Sequence, residues 1–306
     1  MVASPEDRGL QAEMIRFTST DCLVLTAWWL AADGAAKGTV VLAHGQGGNR
    51  SDMLGRAAFL VHAGYNVFAI DLRAHGESDG NYMTPGFKEA DDVLSAVAYV
   101  KGRGEDGPIV LLGYSYGAVA VLHATARSTE PSAVVADAAF ISHVDMMHRV
   151  ADYVRKDPQA SWIARLGIGV VKWPGVMWLV DLEFYMRTGV NLNSTKVDAI
   201  EAARAIRTTP VLFLAGENDP IAPAANTERM FEAMLSPRKR IVVMPKATHS
   251  TYTTETKDAY EAAVLDFLEW AIGRTSKASR PHGSDRFDRH ARTDSPGRRD
   301  LCEPRP

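Results

Sequence analysis

Cysteine is almost absent: Cys22 and Cys302 are the only two in 306 residues. Two cysteines cannot build a disulfide framework, and these lack metal-ligand spacing, so a reducing, cytoplasmic setting is the expectation. Long apolar runs are also missing. The richest stretch, SWIARLGIGVVKWPGVMWLV at 161–180, is interrupted by Arg165, Lys172 and Pro174. It falls short of the roughly 18 uninterrupted apolar residues of a membrane span, so no integral span is expected. The opening MVASPEDRGLQAEMIRF carries acidic residues early and no apolar segment, unlike a signal peptide. Strong charge of one sign is lacking too. The formal net charge is −3, which gives nucleic acid no electrostatic footprint as a partner.

From Arg274 onward aliphatic residues run out. That stretch has one phenylalanine, one leucine and no isoleucine or valine, with nine basic residues against five acidic. Such a segment buries too little surface to offset its ordering entropy, and 274–306 reads as a disordered, mildly basic tail.

What the rest contains is an alternation. At 46% apolar residues the chain has material for a sizeable core. AEMIRFTS and LVLTAWWLAA read as an opening antiparallel pair. The strand-like runs GTVVLAH, YNVFAIDL, PIVLLGYS, SAVVADAAF, TPVLFLAG and KRIVVMP are then separated by stretches of helical period. Short β-branched runs alternating with helices predict an α/β fold with a mostly parallel central sheet flanked by helices. The alternation breaks from Ile141 to Arg207, so the expected organisation is a core of 1–140 and 208–273 with a helical insertion, 141–207, between the sixth and seventh strands.

GYSYG, Gly113 to Gly117, sits where a buried-type strand meets a helix. A nucleophilic serine suits that junction, because a sharp turn lifts its hydroxyl clear of the sheet and glycines two residues either side permit the turn. Ser115 needs a base, and His249 in PKATHS, just past the last strand, is the candidate. His249 in turn needs an acid. Asp219 in LAGENDP is favoured over Asp137 at the end of VVADAAF, because the order Ser115, Asp219, His249 puts each residue at a strand's carboxyl end. Among the other histidines, His75 reads as a turn residue bonded to backbone and His123 as a packing residue. The glycine-rich HGQGGNR after the TVVLA strand can turn backbone N–H groups toward a developing oxyanion. Gln46 and Tyr116 are the candidate donors. As a phosphate cradle the same stretch fails, since Arg50 stands where the dinucleotide motif needs glycine and no Gly-Lys-Ser/Thr follows.

Together HGQGG, DLRAHGES, GYSYG, GENDP and ATHS resemble the motifs of α/β-hydrolase-fold serine hydrolases, over roughly residues 12–272. The likeness is greatest to bacterial esterases, lysophospholipases and serine-peptidase-like enzymes. Ala118 and Thr248 depart from it, each standing where glycine is common. The resemblance implies a Ser-His-Asp triad that needs no metal or organic cofactor, and it makes the 141–207 insertion a lid or cap. Trp162, Trp173, Trp178, Phe184 and Tyr185 are then expected to bury themselves over the active site. The implied activity is hydrolysis of a small-molecule carboxylic ester with an apolar acyl part. A peptidase or amidase, an acyltransferase, and a catalytically silent ligand-binding relative are the alternatives.

Overall fold

A computed structural model describes residues 4–105, 107–156, 161, 173–249 and 256–273. Eight strands form one sheet: β1 (Ala12–Thr18), β2 (Val24–Leu30), β3 (Thr39–Ala43), β4 (Asn66–Ile70), β5 (Ile109–Tyr114), β6 (Ala133–Asp137), β7 (Val211–Gly216) and β8 (Lys239–Met244). Their spatial order is β1-β2-β4-β3-β5-β6-β7-β8. The pairings β1–β2 and β2–β4 are antiparallel, and every later pairing is parallel. This is the mostly parallel α/β architecture expected from the alternation.

The burial of the strands follows from their place in the sheet. β3, β4, β6 and β7 are buried along their whole length, as continuous apolar runs covered on both faces must be. The edge strand β1 buries Ile15 and Phe17 and exposes Arg16 between them. Side-chain alternation splits the core into two layers. Val41, Phe68, Leu111 and Val134 face helices α2 (Glu89–Gly102) and α3 (Tyr116–Arg127). Val40, Leu42, Val67, Val110 and Val135 face α1 (Leu54–His62) and the last helix, Lys257–Ile272.

Between β6 and β7 lie α4 (His143–Lys156), α5 (Pro174–Thr188) and α6 (Ala199–Ala205); α7 (Ala224–Ala233) follows β7, and Lys257–Ile272 is α8. Ala199, Ala202, Ala203 and Ile206 join the core layer of α2 and α3, so the end of the inserted segment packs with the sheet's own helices. α5 behaves otherwise. Trp173 and Trp178 are 69% and 63% exposed, and Leu179, Tyr185 and Met186 are exposed with them. The expectation that these aromatics bury is therefore not met for Trp173, Trp178 and Tyr185. α5 is apolar around much of its circumference, and a single helix cannot turn every side inward. Trp162 and the 274–306 tail lie outside the described residues. No helix among the described residues is long and apolar enough to cross a membrane.

Candidate active site

Register brings the chemistry together. β3 and β5 are neighbours, and Ala43 stands beside Gly113. The loop after β3 and the turn after β5 therefore open side by side, at the carboxyl ends where the strand order reverses. At the turn, Ser115 has φ 52° and ψ −108°, a left-handed-side conformation that a non-glycine residue keeps only when its surroundings enforce it. The enforcement is visible. Ser115 N–H donates to the Asp137 carbonyl at 2.7 Å, and α3 starts immediately afterwards.

Gly113 and Gly117 are required by close approach. A Cβ on Gly113 would fall on the Gly117 carbonyl, and one on Gly117 would fall on the carbonyls of Ala43 and His44. Backbone on both sides leaves nothing flexible to yield. Gly117→Ala is accordingly expected to lower stability by about 3 kcal/mol. Urea denaturation checks this, and a wild-type midpoint would contradict it.

Ser115 Oγ lies 2.9 Å from His249 Nε2, and His249 Nδ1 lies 2.7 Å from Asp219 Oδ2. The other Asp219 oxygen, Oδ1, accepts the N–H groups of Ile221 and Ala222 at 2.9 and 2.8 Å. Burial works to raise the Asp219 carboxyl, but the His249 hydrogen bond and charge, with these two N–H donors, outweigh it and hold it below its ordinary value. An ionised Asp219 only accepts, so His249 carries its proton on Nδ1 and offers Nε2 to the serine hydroxyl.

Asp137, the rival acid, points elsewhere. Its Oδ2 accepts Arg56 Nη2 at 2.5 Å, Arg56 Nε at 3.1 Å and the Tyr260 hydroxyl at 2.8 Å, all buried beneath the elbow. The three candidates Ser115, Asp219 and His249 thus meet, and Asp137 does not join them.

Gln46 follows Gly45 at the carboxyl end of β3, and Tyr116 is the first residue of α3, where a helix presents unpaired N–H groups. The Tyr116 side chain is buried, its hydroxyl donating to Glu89 at 2.9 Å, so only its backbone is available to a ligand. Two histidines brace this loop. His75 Nε2 accepts the Gly47 N–H at 3.1 Å while its Nδ1 donates to the Arg73 carbonyl at 2.8 Å. His44 accepts the Leu72 N–H at 3.1 Å and donates to the Gly45 carbonyl at 2.7 Å; burial pushes its pKa down to about 4. His123 is a packing residue as its helical position suggests, set edge-on against Phe87 and bonded to the Val197 carbonyl. Among the described residues no group of three His, Cys, Asp or Glu side chains is placed to hold a metal ion.

A family model described as "Alpha/beta hydrolase family" matches residues 40–263, which takes in both glycine-rich turns and both loops that carry Asp219 and His249. The chain belongs to the alpha/beta hydrolase family. At the level of reaction class, that membership places it among hydrolases. Two relatives extend the likeness beyond the matched core. This alpha/beta hydrolase is 25% identical over 271 residues to YfhR of Escherichia coli (strain K12), covering 85% of this chain and 82% of that protein. It is 23% identical over 296 residues to the caffeoylshikimate esterase of Arabidopsis thaliana, covering 88% of each. Among solved structures, the Pyrococcus furiosus esterase Pf2001 shares the fold with a TM-score of 0.70 at 24% identity, covering 89% of this chain and 97% of that one.

Sequence reasoning missed the Arg56–Asp137–Tyr260 cluster under the elbow. Arg56 and Tyr260 stand 204 positions apart on two helices, and neither sits in a motif. A lone arginine on the apolar face of α1 was the available signal.

Proposed function

We propose that the chain is a serine hydrolase that cleaves carboxylic esters through an acyl-enzyme on Ser115. The observation that carries this reading is the unbroken relay from the Ser115 hydroxyl through both nitrogens of His249 to a buried, doubly N–H-bonded Asp219. Ser115 Oγ attacks the ester carbonyl as His249 Nε2 takes its proton, and Asp219 stabilises the imidazolium that forms. The carbonyl oxygen becomes an oxyanion facing the backbone N–H groups of Gln46 and Tyr116. His249 then gives its proton to the departing alcohol. Water attacks the acyl-enzyme by the same route in reverse and releases the acid and free Ser115.

Ester in preference to amide draws support from the esterase names of the Arabidopsis relative and the Pyrococcus structure. The substrate is a small molecule with an apolar acyl part, and the compartment is the cytoplasm. The segment 141–207 acts as a cap over the cleft, with 1–140 and 208–273 forming the hydrolase core.

The test is a panel of p-nitrophenyl esters from acetate to octanoate, run beside aminoacyl anilides. Esters are expected to turn over well ahead of anilides. Faster anilide cleavage would make the chain a peptidase or amidase, acyl transfer outrunning hydrolysis an acyltransferase, and no turnover with retained ligand binding a silent relative. Within the panel, Gln46→Ala is expected to lower kcat by less than about fivefold, because its backbone and not its side chain faces the oxyanion. A loss matching that of Ser115→Ala would show that the side chain itself reacts.

A further inference from the structure

Tyr114 fills a variable position of GYSYG, just before Ser115, yet it touches both the His249 loop and the loop after β3. Its hydroxyl donates to the His249 backbone carbonyl at 2.5 Å. Its ring lies 5.5 Å, centroid to centroid, from the His249 imidazole. On another side the ring packs against the loop after β3 so closely that a Cβ on Gly45 would sit 3.1 Å from two of its carbons. The Arg56 guanidinium stacks over it at 4.5 Å, itself fixed by Asp137 and Tyr260.

We propose that Tyr114 is a positioning residue that holds His249 for proton transfer, through its hydroxyl on the His249 carbonyl and its ring against the loop after β3. The proposal rests on the reading of Ser115 and His249 as the reacting pair. The two imidazole bonds cannot alone hold that ring in place, because one of them, to Ser115, breaks and reforms in every turnover. An anchor on the backbone of His249 leaves the imidazole free to exchange protons while its origin stays fixed. The neighbouring bonds hold the approach to the histidine: Asn218 N–H to the Ala247 carbonyl at 2.9 Å, and Lys246 N–H to Glu217 at 2.8 Å. The Tyr114 hydroxyl acts on residue 249 itself. Burial, with Asp137 nearby, pushes the phenol above its ordinary range, so it remains a protonated donor throughout the working pH range. Arg56 under the ring ties this anchor to the end of β6, whose Asp137 carbonyl holds the Ser115 N–H. Nucleophile and base thus share one rigid support.

Tyr114→Phe tests this by deleting one oxygen while keeping the ring, its stacking on Arg56 and its contact with Gly45. Active sites are counted by fluorophosphonate labelling, so that kcat is expressed per competent site whatever fraction of the protein is folded. The expected result is a fall in kcat of roughly tenfold for a p-nitrophenyl ester with KM within about twofold, the size of one lost buried hydrogen bond. In a His249→Ala background the same substitution is expected to leave the residual rate unchanged, because its effect runs through His249. Wild-type kcat per site in Tyr114→Phe, a change confined to KM, or an equal loss in both backgrounds would each overturn the proposal. A wild-type protein that neither hydrolyses esters nor labels would overturn the serine-hydrolase reading and this proposal with it. An active wild type with an indifferent Tyr114→Phe overturns this proposal alone.

Discussion

Ser115→Ala and His249→Ala are each expected to lower kcat for a p-nitrophenyl ester by up to about a millionfold, with the denaturation midpoint near wild type. In the proposed mechanism the relay acts as a unit: the Ser115 hydroxyl, 2.9 Å from His249 Nε2, gives up its proton as it attacks, and neither partner performs that step alone. What survives in either variant is the rate supplied by oxyanion donors and substrate binding, about a thousandfold or more above water. Removing both residues together should therefore cost little more than removing one. Stability is expected to hold, because Ser115 keeps the same backbone bond to Asp137 in the alanine variant and His249 is partly open to solvent. Purified Ser115→Ala that retains most of its esterase activity would remove the serine from the chemistry.

Asp219→Asn should lower kcat by about ten thousandfold, while Asp137→Asn should act on stability instead. An asparagine at 219 can turn its amide N–H toward His249 Nδ1. That stabilises the tautomer with its proton on Nε2, which then cannot accept from Ser115. Asp137 has a different partner. Neutralising it strands the Arg56 guanidinium in a site where both side chains are almost fully buried, and breaking such a pair from one side costs about 3–5 kcal/mol. The folded fraction of Asp137→Asn is expected to keep its kcat per labelled site. A silent Asp219→Asn beside a catalytically dead Asp137→Asn would make Asp137 the acid. The depressed Asp219 carboxyl also sets a pH dependence. The stability it contributes is complete above the ordinary carboxyl value of about 3.9 and is lost only as pH falls through its lower folded value. Asp219 therefore stays charged from about pH 4 upward, and its protonation should leave no limb in kcat/KM above that pH. A limb there that disappears in Asp219→Asn would contradict the depressed carboxyl.

The parts legible in the sequence were those whose physics is local. The strands β3, β4, β6 and β7 show as apolar runs because they are sheltered on both faces, β1 shows by its alternation at an edge, and GYSYG announces its turn through glycines that backbone contact makes obligatory. Ser115, His249 and Asp219 could be nominated together because each lies at a strand's carboxyl end, a property of chain order. Asp219 and Asp137 are harder to separate, for Asp137 ends β6 and Asp219 lies in the loop just past the neighbouring parallel strand β7. What turns Asp137 away is Arg56 on α1 and Tyr260 on α8, a three-way contact that no periodicity encodes. The aromatics between β6 and β7 misled for a related reason. Apolarity says that a side chain gains by burial, but whether the chain itself supplies the covering surface is decided by packing, and Trp173 and Trp178 face outward. Tyr114 escaped notice because its partner is a backbone carbonyl 135 positions away, which carries no residue signature.

The central claim, that Ser115 is the nucleophile of an acyl-transfer reaction, is tested most directly by treating the wild-type protein with a fluorophosphonate and locating the adduct by peptide mass spectrometry. One adduct per chain is predicted, on the peptide carrying Ser115, with none in Ser115→Ala and markedly slower labelling in His249→Ala. An unlabelled wild-type protein, or an adduct on any residue other than Ser115, would contradict it.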